Sequence, residues 1–131
     1  MKDYPITIGF DDAKFRFDGQ KQTTPLIGVV CQGTRVVKVV KKEIFIDGDD
    51  STDAIIDLVR SCENNVQYIL THTITFGGFN IADIEEIYQK LEIPIIAFTE
   101  RMVNLDDVKK AIIKKFPKKN TDKINKIIKA G

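Results

Sequence analysis

Residues 26–47 read LIGVVCQGTRVVKVVKKEIFID. Leu26 to Gln32 is a short apolar run of the kind that fills a buried strand. Arg35 to Asp47 is β-branched and alternates imperfectly, as a long strand does. Only Gly33 and Thr34 stand between the two runs. That connection suffices for a turn and is too short for a helix. The two strands are therefore expected to form an antiparallel hairpin.

Upstream, Ile6, Ile8 and Phe10 alternate with Thr7, Gly9 and Asp11, which predicts a first strand over Tyr4 to Asp11. A polar loop follows, with Asp18-Gly19 as a turn signal and Pro25 at its end. Downstream, the period changes. Asp50-Ser51-Thr52 offers N-cap oxygens to a helix carrying Ile55, Leu58, Val59 and Cys62 and ending near Asn65. Val66 to Ile74 reads as a fourth strand. After a Gly-Gly loop, Asn80 is expected to cap a helix carrying Ile81, Ile84, Ile87 and Leu91. Pro94 to Phe98 reads as a short buried fifth strand. Asn104 caps a helix that Pro117 stops, and Asn120-Thr121 begins the last one.

The order is β-β-β-α-β-α-β-α-α. Antiparallel strands come first, and the later strand–helix alternation implies parallel neighbours. The expected architecture is one α/β domain over residues 1–131, with a ribonuclease-H-like mixed sheet and flanking helices. A flavodoxin-like sheet would need a helix where Gly33 stands.

The 131 residues suit one ordinary domain, and 43% hydrophobic with 30% charged residues is a globular composition. The net charge of +1 excludes an overall basic coat for nucleic acid. The charges are nevertheless segregated. Glu43 to Glu92 holds eleven acids and two bases, whereas Lys109 to Gly131 holds nine lysines and one acid. Cys31 and Cys62 lie in apolar stretches outside any CxxC pair, and read as free thiols in a reducing cytoplasm. The start of the chain does not resemble a signal peptide, and no apolar run approaches the ~20 residues that span a membrane.

Five groups of residues are chemical candidates. Asp11-Asp12 ends the first strand, at the carboxyl edge where open α/β sheets bind ligands. These are hard oxygen ligands suited to Mg²⁺ or Mn²⁺, or else a plain strand end entering a polar loop. Asp47-Gly48-Asp49-Asp50 repels itself unless a cation, water or the following helix neutralises it. Asp50 reads as an N-cap, and Asp47 is less easily explained that way. His72, the only histidine, would approach Asp11 if the first and fourth strands are neighbours. There it reads as a base, a ligand for a softer metal, or a satisfied polar group. Thr75-Phe76-Gly77-Gly78-Phe79-Asn80 would offer helix-start amides to phosphate, with Phe76 and Phe79 either stacking on a base or plugging the core. The lysine set around Lys114, Lys115, Lys118 and Lys119 reads as a phosphate footprint or as a solvated face.

Several of these segments resemble one family, the archaeal DUF99 (UPF0215) or endonuclease dU proteins. They are IGFDD at 8–12, LIGVV at 26–30, IDGDDST at 46–52, ITFGGFNI at 74–81, IEEIY at 84–88 and KAG at 129–131. The resemblance implies a relative of endonuclease V that cleaves DNA containing a deaminated base such as uracil, with Mg²⁺ or Mn²⁺ as cofactor. It implies that Asp11 is the first metal-binding aspartate and that Asp47 and Asp50 form the acidic segment. On this reading Asp11 and Asp47 hold the metal with Asp12 and Asp50 near it, and His72, beside them, joins Asp11 and Asp47 as a catalytic candidate. It also implies that Thr75, Phe76, Gly77, Gly78, Phe79 and Asn80 approach the nucleic acid.

Two departures from the family pattern stand out. The family reads Leu-Asp-Gly where this chain has Thr71, His72 and Thr73. Imidazole is a poor Mg²⁺ ligand and a better one for Mn²⁺ or Zn²⁺. Family members also continue past the KAG position, so a short form is expected. The alternative to a nuclease is a non-catalytic module that grips nucleic acid through its lysines or pairs acidic middle to basic tail between copies. A small-molecule phosphate enzyme built on Gly77-Gly78 is a third class.

Overall fold

The computed structural model describes residues 4–13, 22–62, 65–98, 105–118 and 120–130. The Asp18-Gly19 turn, the Asn104 cap, Lys119 and Gly131 lie outside the described residues. Strand β1 spans Ile6–Asp12, β2 Thr23–Gln32 and β3 Arg35–Phe45. Helix α1 is Ser51–Ser61 and strand β4 is Tyr68–Thr71. The short strands β5 (Thr75–Phe76) and β6 (Asn80–Ile81) precede helix α2, Ile84–Leu91. Strand β7 (Ile95–Ala97) and helices α3 (Leu105–Lys115) and α4 (Thr121–Ala130) complete the chain.

The main sheet has the order β3-β2-β1-β4-β7. Strands β1, β2 and β3 are antiparallel, and β1-β4 and β4-β7 are parallel. This is the ribonuclease-H-like sheet expected from the hairpin at Gly33, whose φ of 60° is natural for glycine in a tight turn. The registers put Phe10 beside both Gly28 and Thr71, so Asp11 sits at the carboxyl edge next to the end of β4.

Helix α1 buries Ile55, Ile56, Leu58 and Val59 against Ile8, Phe10, Leu26, Val30, Ile44 and Ile69 of the sheet. Gly28 makes that packing close: a Cβ there would sit 2.8 Å from the Phe10 ring. The opposite sheet face is different. Val39, aligned with Val29, is 60% exposed, and Phe98 is 52% exposed.

Several boundaries depart from expectation. Strand β2 starts at Thr23 and takes in Pro25, whose carbonyl accepts from the Ala13 amide. Strand β3 stops at Phe45 because Asp47 adopts φ 57°, a left-handed conformation that no strand continues through. Helix α1 ends at Ser61 rather than near Asn65. The run from Val66 to Ile74 is not one strand: only Tyr68–Thr71 pairs in the main sheet.

The fully buried Thr71 hydroxyl has no hydrogen-bond partner among the described residues. A buried unpaired hydroxyl costs about 1–3 kcal/mol. Replacing Thr71 by Val is expected to raise the urea midpoint at unchanged m-value, a gain of up to about 1 kcal/mol. A loss of similar size would show that the hydroxyl has a partner after all.

Candidate functional site

The glycine-rich run does not open a helix. Thr75–Phe76 and Asn80–Ile81 pair as a small antiparallel hairpin, with Gly77 and Gly78 at its apex at φ 53° and 80°. Helix α2 starts four residues after Asn80 and is capped by Asp83, whose carboxylate accepts from the Glu86 amide at 3.1 Å. Tertiary bonds outweigh the local capping preference of Asn80.

Those bonds make Asn80 a junction, and it is completely buried. Its Oδ1 accepts from the Ser51 amide at 2.9 Å, one of the free donors at the start of α1. Its Nδ2 donates to the Phe45 carbonyl at 2.8 Å and to Asp50 Oδ1 at 2.6 Å. Asn80 thus caps α1 from 29 residues away. Asp50 occupies the N-cap position of α1, as expected, but makes no side-chain cap bond. Its carboxylate accepts instead from the Phe45 amide and Asn80.

The expected metal carboxylates are similarly engaged. Asp12 Oδ2 accepts from the Gly77 amide at 2.6 Å. Asp47 Oδ1 accepts from the Phe79 amide at 2.8 Å, and its Oδ2 pairs with Lys115 at 2.7 Å. The Asp47 amide donates to the Gly77 carbonyl at 2.7 Å. These contacts hold Asp47 in its left-handed conformation, where Asp is tolerated better than most residues. The amides expected to bind phosphate, at Gly77 and Phe79, are therefore given to carboxylates of the chain itself.

Lysines complete the cluster. The Lys123 ammonium lies 2.7 Å from the Gly48 carbonyl, 2.7 Å from the Phe79 carbonyl and 2.8 Å from Asp49 Oδ1. Lys129 pairs with Asp83 at 2.8 Å. Burial raises the Asp83 carboxyl, but Lys129 and the Glu86 amide outweigh it and hold it below the ordinary range. The opposite charges of middle and tail thus meet within one chain. A solvated-face reading of the tail does not distinguish Lys123, which is buried, from Lys114 and Lys118, which are exposed.

Of the two rings expected to stack on a base or plug the core, Phe76 is a core group at 1% exposed and Phe79 is half-buried. Phe79 packs edge-on against Phe116, with ring centroids 6.2 Å apart. Thr75 and Gly78 are half-buried and Gly77 is buried.

Asp11 and His72 are placed differently. Both are exposed, and they line one cavity of about 480 Å³ with Gly9, Ile27, Val29, Leu70 and Phe98. It opens on the sheet face opposite α1. The His72 ring meets Phe98 edge-on at 5.6 Å. Asp11 Oδ1 accepts from the Asp12 amide at 2.9 Å. Burial, then the Asp11 carboxylate, pushes the Asp12 carboxyl above its ordinary value of 3.8 against the opposing pull of the Gly77 amide.

Mg²⁺ or Mn²⁺ held by Asp11, Asp12, Asp47 and Asp50 together does not fit this arrangement. Asp12, Asp47 and Asp50 are committed to amides, Asn80 and Lys115. Among the described residues, no three His, Cys, Asp or Glu side chains converge as a metal-holding group. Asp11 and His72 remain together at the cavity without Asp47.

A mixed sheet of this order, with antiparallel strands first and parallel ones after, is a ribonuclease-H-like fold. The family model "Endonuclease dU" matches residues 6–131, and the chain belongs to that family. It is 43% identical over 103 residues to a UPF0215 protein of Nanoarchaeum equitans, covering 77% of this chain and 52% of that one. A crystal structure of a protein of unknown function from Archaeoglobus fulgidus superposes with TM-score 0.82 at 28% identity, over 96% of this chain and 69% of that chain. Ciona intestinalis endonuclease V, solved with a 24mer DNA containing an inosine followed by a ribo-adenosine, shares the fold at TM-score 0.52 and 11% identity, over 88% of this chain and 56% of that one. This chain spans about half to two-thirds of the length of the curated relatives it matches.

The raised Asp12 carboxyl predicts a pH effect. The folded state holds that proton more tightly than the unfolded state does. Its contribution to stability is therefore complete below about pH 3.8 and is lost as pH rises through the higher folded value. Asp12→Asn keeps an acceptor for the Gly77 amide without the charge. Its melting temperature is expected to exceed that of the parent at pH 7 by roughly 2 °C, with the gap closing below about pH 3.8. A lower melting temperature at pH 7 would contradict the sign.

Proposed function

We propose that this chain is the DNA-engaging core of an endonuclease-dU-type protein, which cuts DNA beside a deaminated base such as uracil or hypoxanthine. The observation that carries the reading is the placement of Asp11 and His72 on one cavity at the carboxyl ends of two central parallel strands. In this reading the exposed imidazole of His72 takes the proton of a water that attacks phosphorus, Asp11 orients that water, and the P–O bond to the leaving 3′-oxygen breaks as that oxygen takes a proton from solvent. Phe98 holds the His72 ring at the cavity wall. The exposed Lys114 and Lys118 contact the phosphate backbone. Family membership and the fold shared with a DNA-bound endonuclease V support DNA as the partner. Among the described residues, no helix is long and apolar enough to cross a membrane.

A second reading, a module that binds DNA without cutting it, is favoured by one observation. Two carboxylates, Asp11 and Asp12, line the cavity beside His72, but Asp12 already accepts from the Gly77 amide, and Asp47 and Asp50 are bonded elsewhere within the chain.

The test is nicking of uracil- and hypoxanthine-containing duplex and single-stranded DNA, with Mg²⁺, with Mn²⁺ and with chelator. Cutting is expected at the modified base, and Asp11→Asn and His72→Ala are each expected to lower its rate at least about 100-fold. Absence of cutting on every substrate sinks the catalytic reading and leaves the binding one. Binding should weaken as salt rises. The Lys114→Ala/Lys118→Ala double variant should flatten the log–log salt slope by nearly two, about 0.9 per lost phosphate contact. An unchanged slope would remove these lysines from the DNA path.

A further inference from the structure

We propose that the Asp47–Asp49 turn and the Phe79 carbonyl form an ammonium-binding site, which the folded chain fills with its own Lys123. The inference is independent of whether the protein cuts DNA.

Lys123 is 2% exposed, and a buried lysine without partners would lose its charge or unfold its surroundings. Here the ammonium has three short oxygen contacts for its three N–H groups: the Gly48 carbonyl, the Phe79 carbonyl and Asp49 Oδ1, all at 2.7–2.8 Å. The Asp47 carbonyl stands further off at 3.5 Å. The Phe116 ring lies 4.8 Å from the nitrogen, within reach of a cation–π contact. The oxygens are those of a hard-cation site, but their distances are not. Mg²⁺ takes about 2.0–2.1 Å and Ca²⁺ about 2.3–2.6 Å, whereas these contacts have the length of ammonium N–H···O hydrogen bonds.

The acceptors come from two segments that meet only through tertiary structure, the turn after β3 and the apex of the β5–β6 hairpin. Lys123 is the one described residue of α4 that is buried. Its head therefore pins that helix to the acidic turn and the glycine loop at a single point. This makes Lys123 a positioning residue for both loops, and leaves the cage open to a free cation when the side chain is shortened.

The experiment compares wild type, Lys123→Ala and Lys123→Met by thermal melting in ammonium chloride and methylammonium chloride. Tetramethylammonium chloride at equal ionic strength is the control. Lys123→Ala is expected to lose at least roughly 5 °C and to recover much of it saturably in ammonium or methylammonium, but not in tetramethylammonium. Wild type and Lys123→Met, whose side chains occupy the cage, are expected to show no such selective recovery. Equal responses of all three proteins to all three salts would overturn the site. If Lys123→Ala does not fold even in ammonium, Asp49→Asn decides. Asp49 is 62% exposed on its side chain, so the variant folds. The cage predicts a lower melting temperature for it, and a melting temperature equal to wild type would overturn the proposal.

Discussion

An acidic turn packed against the core must be neutralised, and this chain does so with its own donors. Asp47, Asp49 and Asp50 lie within four residues and face amides, an asparagine and two lysines rather than bulk water alone. The donors come from three separate parts of the chain. The Phe79 amide and Asn80 come from the hairpin, Lys115 from α3 and Lys123 from α4. Satisfying one turn therefore joins the end of β3, the start of α1, the glycine loop and both C-terminal helices. Lys123 is the buried charge of the set, and leaving a buried charge without its partners typically costs about 3–5 kcal/mol.

That constraint separates two regions that the sequence motifs would merge. The acidic turn and the glycine loop form a closed, internally bonded unit. The open region lies at the carboxyl edge of β1 and β4, where Asp11 and His72 share a cavity. The endonuclease dU family assignment and the ribonuclease-H-like sheet hold for the whole described chain.

The fold was largely legible because its signals are local. Two residues at Gly33-Thr34 allow only a hairpin, and the helical stripes of α1 and α2 follow a 3.6-residue period. The approach of His72 to Asp11 was legible only on the condition that β1 and β4 are neighbours, and the structure pairs them. The site was less legible because its bonds are long-range. Asn80 next to an apolar run looks like a local helix cap, and nothing nearby shows that its partners are Phe45, Asp50 and Ser51. Asp83, the actual cap, sits three residues before Glu86, an acidic signal that could have identified it. Lys123 is one of nine lysines in a helical tail, and its sequence context does not distinguish it from Lys126 or Lys129. Only the packed structure shows that its ammonium reaches the acidic turn and the Phe79 carbonyl, whereas Lys126 pairs with Asp122 and Lys129 with Asp83.

The central claim is that the acidic turn is closed by a buried, fully hydrogen-bonded ammonium. The most direct measurement is proton-detected ¹⁵N NMR of the lysine side-chain ammonium groups near neutral pH. Exposed lysines exchange these protons with water too fast to be seen. The account predicts one persistent, slowly exchanging ammonium signal that disappears in Lys123→Met. If no ammonium signal survives, or the surviving one belongs to another lysine, the account of the turn is wrong.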